Sequence, residues 1–341
     1  MTRPDDLRPI DFSEIEGWAQ DQHAPALSAF QLSAQEIILH GHGFNRAALY
    51  GGGRQDWLEV AEKSIIAQNA TQFFESEFQA FTVEDHTNLF TGYYEPQVQG
   101  SLTATEKFRV PIYARPPELH TNQKSYFTRK EIEQGALNGQ ELEICYLQNW
   151  EEAYFIHVQG NGRVLLPEGR ALRLAFAAKN GHDYRSIGKA LLERGLGTPE
   201  TMSMQFLRAW MKANPSVARE LMWENPSFIF FSANDVLDSH RGAKGAAKVP
   251  LTPLRSLAVD RSYWAFGTPI FLSTNRPPEA GAEIFRHLLI AQDTGSAIKG
   301  LARGDIYWGW GAEAELNAGH MKQRGKMIVL LPKPLAQRFL P

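Results

Sequence analysis

From Val249 to the C-terminus the chain is written in short apolar runs closed by turns. Residues 256–259, 269–272, 285–291, 305–310 and 326–331 each read as a strand. Many short strands at this spacing predict a barrel. A β-rich texture also fills the stretch after Thr91, where 154–159 and 163–166 flank Gly160-Asn161-Gly162 and read as a hairpin. Only the first part differs. Residues from about 11 to 81 carry apolar side chains at helical spacing, as at Trp57, Val60, Ala61 and Ile65, with Gly51-Gly52-Gly53 as a break. That glycine run is followed by Arg-Gln and lacks the Lys-Ser/Thr of a phosphate loop. A helical interlude returns at 182–194, after Thr198-Pro199 and after Asn214-Pro215, where proline at a first helical position marks a start. Residues 227–232 form another strand, and 240–248 read as a linker. The chain is therefore mainly β with helices, and 341 residues at roughly 150 per domain suggest two domains, with one large domain as the alternative.

Composition serves mostly to exclude. Apolar residues are 43% and charged residues 21%, the range of a globular chain. No apolar run approaches the roughly 20 residues of a membrane span. Cys145 is the one cysteine, so there is no internal disulfide, CxxC or thiolate metal site. Met1-Thr2-Arg3-Pro4-Asp5-Asp6 contains no apolar h-region, and no signal peptide is read here. The net charge of −3 is unevenly spread: from Ser239 onward 14 Lys/Arg face 7 Asp/Glu. A basic C-terminal part could meet an anionic ligand or could be a solvated surface.

The chemistry-bearing residues are acids at strand ends. Asp260 closes Leu-Ala-Val-Asp, Asp293 follows Leu-Ile-Ala-Gln, and Asp305 opens Asp-Ile-Tyr-Trp-Gly-Trp-Gly. A carboxyl group where an apolar strand meets its loop can be partly desolvated, and its pKa then rises toward general-acid use. Taken singly, such an Asp is as readily a turn former. Asp305 is the strongest of the three. In an extended strand Ile306, Trp308 and Trp310 share one face, and Tyr307, Gly309 and Gly311 the other, where bare glycine lets a ligand approach or simply saves space. Asp293-Thr294-Gly295-Ser296 also matches the aspartic-protease triplet, but that chemistry needs two such carboxyls and the chain has one. The three Asp lack the tight spacing of a calcium loop. His157, in Phe-Ile-His-Val-Gln, reads as a mid-strand histidine, either a hydrogen-bonded core residue or a ligand contact.

Five strings in order carry a resemblance: Thr91-Gly92-Tyr93-Tyr94-Glu95-Pro96; His157-Val158-Gln159-Gly160-Asn161-Gly162; Asn225-Pro226-Ser227-Phe228-Ile229-Phe230-Phe231; Pro250 through Asp260; and Ala291 through Gly300 running into Arg303-Gly304-Asp305. Together they resemble the membrane-bound lytic murein transglycosylase A family, with its C-terminal domain named for three aspartates. The first 90 residues match loosely.

The resemblance implies a double-psi β-barrel domain from residues 1–97 and 239–341. It implies a smaller β-barrel-like domain inserted at 98–238, and a glycan groove between the two. It also implies non-hydrolytic cleavage of the β-1,4 bond between N-acetylmuramic acid and N-acetylglucosamine in peptidoglycan, leaving a 1,6-anhydro end. Asp305 occupies the family's catalytic position, as acid and then base. Asp260 and Asp293 match the other two family aspartates and are assigned support. Tyr93, Tyr94, His157, Gln159 and Trp308 are the expected sugar contacts, with interdomain packing as the other reading of the two tyrosines. No metal or organic cofactor is called for, and nothing requires more than a monomer. The family is typically an outer-membrane lipoprotein. Here neither lipobox nor signal peptide is read, and the expectation is a periplasmic enzyme with its membrane association open. A non-catalytic glycan-binding protein on the same scaffold is the rival reading. Nucleic-acid binding through the basic part is disfavoured by the net charge and the lack of a nucleic-acid motif.

Overall fold

The computed structural model describes residues 6–340 apart from 86, 120–124, 200, 237–240, 279–280 and 282. The boundary expected at Asp238 and Ser239 and the start of the linker at His240 lie outside the described residues. The chain divides into two compact units. The first is Met1–Tyr94, Lys244–Gly309 and His320–Pro341; the second is Glu95–Ala243 with Trp310–Gly319.

The strands in chain order are β1 (Leu7–Ile10), β2 (Phe78–Val83), β3 (Leu89–Glu95), β4 (Gln97–Ser101), β5 (Val110–Tyr113), β6 (Glu143–Leu147), β7 (Asn161–Leu165), β8 (Ala171–Lys179), β9 (Ile229–Asp235), β10 (Ser256–Val259), β11 (Pro269–Asn275), β12 (Ile284–Asp293), β13 (Arg303–Trp310), β14 (Lys322–Gln323) and β15 (Gly325–Pro332). One sheet runs β1-β2-β15-β11-β12-β10-β13-β3-β14 and the other β5-β6-β4-β7-β8-β9. The protein is thus mainly β with helices, in two sheets. Neither order returns on itself, so no closed barrel is found among the described residues. Short strands at even spacing foretell a sheet of many strands, but closure depends on a shear that sequence spacing does not carry.

In the first unit, β10 is buried along its whole length, as a central strand covered on both faces must be. It pairs in parallel with β12 and antiparallel with β13. The helix His23–Leu39 buries Ala26, Leu27, Ala29, Phe30, Ala34 and Ile37 along one stripe. Gln292 of β12 donates to Ala29 O at 2.8 Å and Ser33 Oγ at 2.9 Å, which fixes that helix on the sheet. The helical reading of about 11–81 is corrected at its end. Helices Gln55–Ile66 and Ala70–Glu77 form, and then Phe78–Val83 becomes β2. Two partners, β1 and β15, override the helical pattern there. No helix among the described residues is long and apolar enough to cross a membrane.

In the second unit Val98, Ile112, Leu147, Val164, Leu172, Leu174 and Phe231 form the core under the sheet. The expected hairpin at 154–166 is corrected. Trp150–Gln159 is an α-helix: Asn149 accepts from the Glu152 N–H at 2.8 Å, and Gly160, at φ 73°, ends it. The hairpin is instead β7 with β8. The expected helix start at Thr198-Pro199 is likewise corrected to Met204, capped by Ser203, whereas Pro215 does open its helix.

Candidate active site

The site grows from the pairing of three strands. Ala258 of β10 lies beside Asp293 of β12 on one side and Asp305 of β13 on the other. Laterally paired residues point to the same face, so both carboxyls rise on either side of an alanine methyl, from backbones roughly 10 Å apart. A larger residue at 258 would fill that space. Beyond β13 lies β3. Its alternation puts Thr91 and Tyr93 on one face, as alternation along β13 does for Arg303, Asp305 and Tyr307. The Thr91 hydroxyl donates to Asp305 Oδ1. Arg303 Nη2 donates to the Thr91 oxygen at 2.8 Å, and Nη1 to the Leu89 carbonyl at 3.2 Å. Tyr93 donates its hydroxyl to Asp293 Oδ2 at 3.0 Å, and its ring packs against Tyr307 with centroids 5.2 Å apart.

The three aspartates differ electrostatically. Burial pushes Asp305 up to about 6; the Thr91 hydrogen bond and the Arg303 charge oppose that rise, and the Asp293 charge adds to it. The Asp305 side chain is only half-buried, so it keeps access to solvent. Burial also raises Asp293, against hydrogen bonds from the Ala246 and Thr294 N–H groups and from Tyr93. Tyr93, enclosed and beside both carboxyls, is raised well above its ordinary value and keeps its proton. Asp260 goes the other way. Burial favours its neutral form, but the Ser262 hydroxyl and N–H, the Gly300 N–H and Lys299 outweigh it and hold the carboxyl below its ordinary value. Asp260 thus stays ionised and ties the turn after β10 to the loop before β13. One carboxyl poised near neutrality and another held as an anion is the division of labour found where one group must exchange a proton.

Asp260, Asp293, Asp305, Tyr93, Tyr94 and Trp308 all lie in the first unit, and His157 and Gln159 in the second. Tyr94 is fully buried. Trp308 is 7% exposed, packs on Phe285, and leaves its indole N–H without a partner among the described residues. Gly309, at φ 97°, has Pro253 3.1 Å from where a Cβ would stand, which fits the space-saving reading. His157 belongs to the helix Trp150–Gln159 of the second unit, not to a strand. Its Nδ1 accepts from the Ile229 N–H at 3.2 Å, its ring meets Phe228 and Phe231 edge-on, and burial and then Arg129 hold it neutral. Gln159, at the end of that helix, is half-buried. Sequence reasoning missed Thr91 and Arg303 as functional groups. Each sits two residues before a residue that was singled out, and period-two spacing was the available signal. Among the described residues no three His, Cys, Asp or Glu converge as a metal site.

Comparison with known proteins bears on this site. A family model described as the MltA specific insert domain matches residues 89–232, and one described as the 3D domain matches 255–331, which contains all three aspartates. The chain is 40% identical over 245 residues to membrane-bound lytic murein transglycosylase A of Vibrio cholerae, spanning 70% of this chain but only 64% of that relative. To the protein of that name from Escherichia coli it is 36% identical over 287 residues, spanning 82% of this chain and 75% of the relative. The crystal structure of a membrane-bound lytic murein transglycosylase from Agrobacterium tumefaciens superposes with a TM-score of 0.86 at 33% identity, covering 98% of this chain and 100% of that one.

Proposed function

We propose a reaction from one premise: this chain belongs to the membrane-bound lytic murein transglycosylase A family. It is a lyase that cuts the glycan strands of peptidoglycan at the β-1,4 bond between N-acetylmuramic acid and N-acetylglucosamine, without water. The observation that carries this reading is Asp305, accessible yet raised to about 6. Protonated Asp305 gives its proton to the glycosidic oxygen as the C1–O bond breaks, and an oxocarbenium-like centre develops. The muramic C6 hydroxyl then attacks C1 and returns its proton to the Asp305 carboxylate, which closes the 1,6-anhydro ring and regenerates the acid. The substrate supplies the nucleophile, so no second carboxylate is needed to activate water, unlike in a two-carboxylate hydrolase. The occupied oxygens of Asp293, which accept from Tyr93, Ala246 and Thr294, support a positioning role for it.

Tyr93, Tyr94, Trp308 and His157 drop out of the proposed sugar contacts because they are buried; Gln159 stays as a partner for a saccharide hydroxyl. The parallel β10–β12 pair among antiparallel neighbours supports a double-psi arrangement of the first unit, and the insert-domain match supports an inserted domain near 98–238. The names of the relatives support an envelope-associated, periplasmic setting.

Digestion of purified sacculi followed by mass spectrometry tests the reading. Muropeptides one water lighter than hydrolysis products are expected. Hydrated reducing ends would make the protein a hydrolase, and binding without release would make it a glycan-binding protein. The pH profile gives a second test. The first step needs Asp305 protonated, so kcat/KM is expected to be flat below about 6 and to fall tenfold per pH unit above it. A flat profile to pH 8 would remove Asp305 as the acid.

A further inference from the structure

Thr91 has one hydroxyl proton and can both give and accept. Arg303 can only give. Its Nη2 lies 2.8 Å from Thr91 Oγ1, so that contact has one possible direction. Arg303 occupies one of the two lone pairs of the Thr91 oxygen and favours the orientation in which Thr91 donates its own proton to Asp305 Oδ1. Oδ1 is then an acceptor in both protonation states of Asp305. Oδ2 has no hydrogen-bond partner among the described residues, and it is left to carry the acid's proton.

We propose that Arg303 is a positioning residue that fixes the direction of the Thr91 hydrogen bond and thereby confines the exchangeable proton of Asp305 to Oδ2. This rests on the reading of Asp305 as acid and base. Arg303 is itself pinned, since it also donates to the carbonyls of Leu89 in β3 and Gly304 in β13. One guanidinium therefore ties together the two strands that carry the hydroxyl and the acid, a task that needs its forked geometry and that a lysine ammonium does not perform. Without Arg303, Thr91 can rotate and accept from a protonated Oδ1, which would trap the proton on the wrong oxygen. The groups facing Asp305 are Arg303 and Tyr307 on its own strand, Thr91 and Tyr93 on β3, and Asp293 on β12; β10 contributes uncharged Ala258. Arg303 is the cation among them, so its removal also takes away a charge that holds the carboxyl down.

The test measures kcat and KM against pH on a defined MurNAc–GlcNAc oligosaccharide, with Arg303→Met, Arg303→Lys, Thr91→Val and the double variant. Arg303→Met is expected to move the basic limb up by about one unit and to lower kcat about 10- to 100-fold with KM nearly unchanged. Arg303→Lys should return the limb toward its wild-type position while kcat stays low. Because Arg303 acts through Thr91, Thr91→Val should lower kcat similarly, and adding Arg303→Met to it should cost little more. A wild-type limb in Arg303→Met, or losses that multiply in the double variant, would overturn the proposal and leave Arg303 a structural residue. If Arg303→Met does not unfold like wild type, Thr91→Ser decides: it should restore the profile that Thr91→Val loses, and failure to do so counts against the relay. A wild-type protein that yields no anhydro ends would instead defeat the underlying reading, with no reference to Arg303.

Discussion

Asp305→Asn is expected to lower anhydro-muropeptide release about 10⁴-fold, the upper end for a single acid–base group, because in the proposed mechanism one carboxyl serves both proton transfers. The same change is expected to make the protein harder to unfold at neutral pH. The carboxyl's pKa is raised from 3.8 in the ordinary state to about 6 in the folded one, so the folded state resists its ionisation. That cost is absent below about 3.8, grows as pH rises to about 6, and is constant above. Its ceiling follows from about 1.4 kcal/mol per pKa unit, and the side chain's partial exposure discounts it to about 1–2 kcal/mol. Asn keeps the oxygen that accepts from Thr91 and removes the charge. Urea denaturation should therefore favour Asp305→Asn over wild type at pH 7.5, with the two converging near pH 4. Equal loss of activity and stability would mean that the substitution damages the fold, and Asp305 would lose its assignment.

What could be read from the sequence was what depends on neighbours along the chain. The strands β10 to β13 and β15 announce themselves by short apolar runs, and Asp260, Asp293 and Asp305 by closing or opening them. What failed depends on partners far away. Trp150–Gln159 looked like half of a hairpin because Gly160-Asn161-Gly162 is also a good turn. The contrary signal was Asn149 with Glu151 and Glu152 behind it, an N-cap and an acidic first turn. Phe78–Val83 continues a helical apolar pattern and becomes a strand because β1 and β15 are there to pair with it. The site shows the same limit. Three aspartates were visible, but not that Ala258 sits between two of them, nor that Thr91, 214 positions before Asp305, would hydrogen-bond to it. Tryptophan and tyrosine suited to sugar stacking are equally suited to a core, and Trp308 and Tyr94 went there.

The largest stability effect is expected at a residue that belongs to no motif. Asp21 lies ahead of the helix His23–Leu39, and its side chain is fully enclosed. Arg255 grips it with two nitrogens at 2.8 and 2.9 Å, His287 Nδ1 lies 2.8 Å away, and the Leu288 N–H donates at 2.7 Å. Burial opposes the charge, but His287 and Arg255 outweigh it and hold the carboxyl far below its ordinary value. This contribution is complete above pH 3.8 and is lost only as pH falls through the depressed folded-state value, so it is fully present at neutral pH. Asp21→Ala leaves the Arg255 guanidinium buried without its partner, and breaking such a pair costs about 3–5 kcal/mol. Arg255 immediately precedes β10, and Leu288 lies in β12, so Asp21 clamps the two strands whose parallel register sets Ala258 against Asp293. Asp21→Ala should shift urea unfolding at pH 7 by that amount. Arg255→Met in the same chain should recover part of it, because the orphaned charge is gone. A loss under about 1 kcal/mol, or no recovery in the double variant, would mean that water solvates Arg255 in place of Asp21 and that the register of β10 is held by its apolar contacts alone.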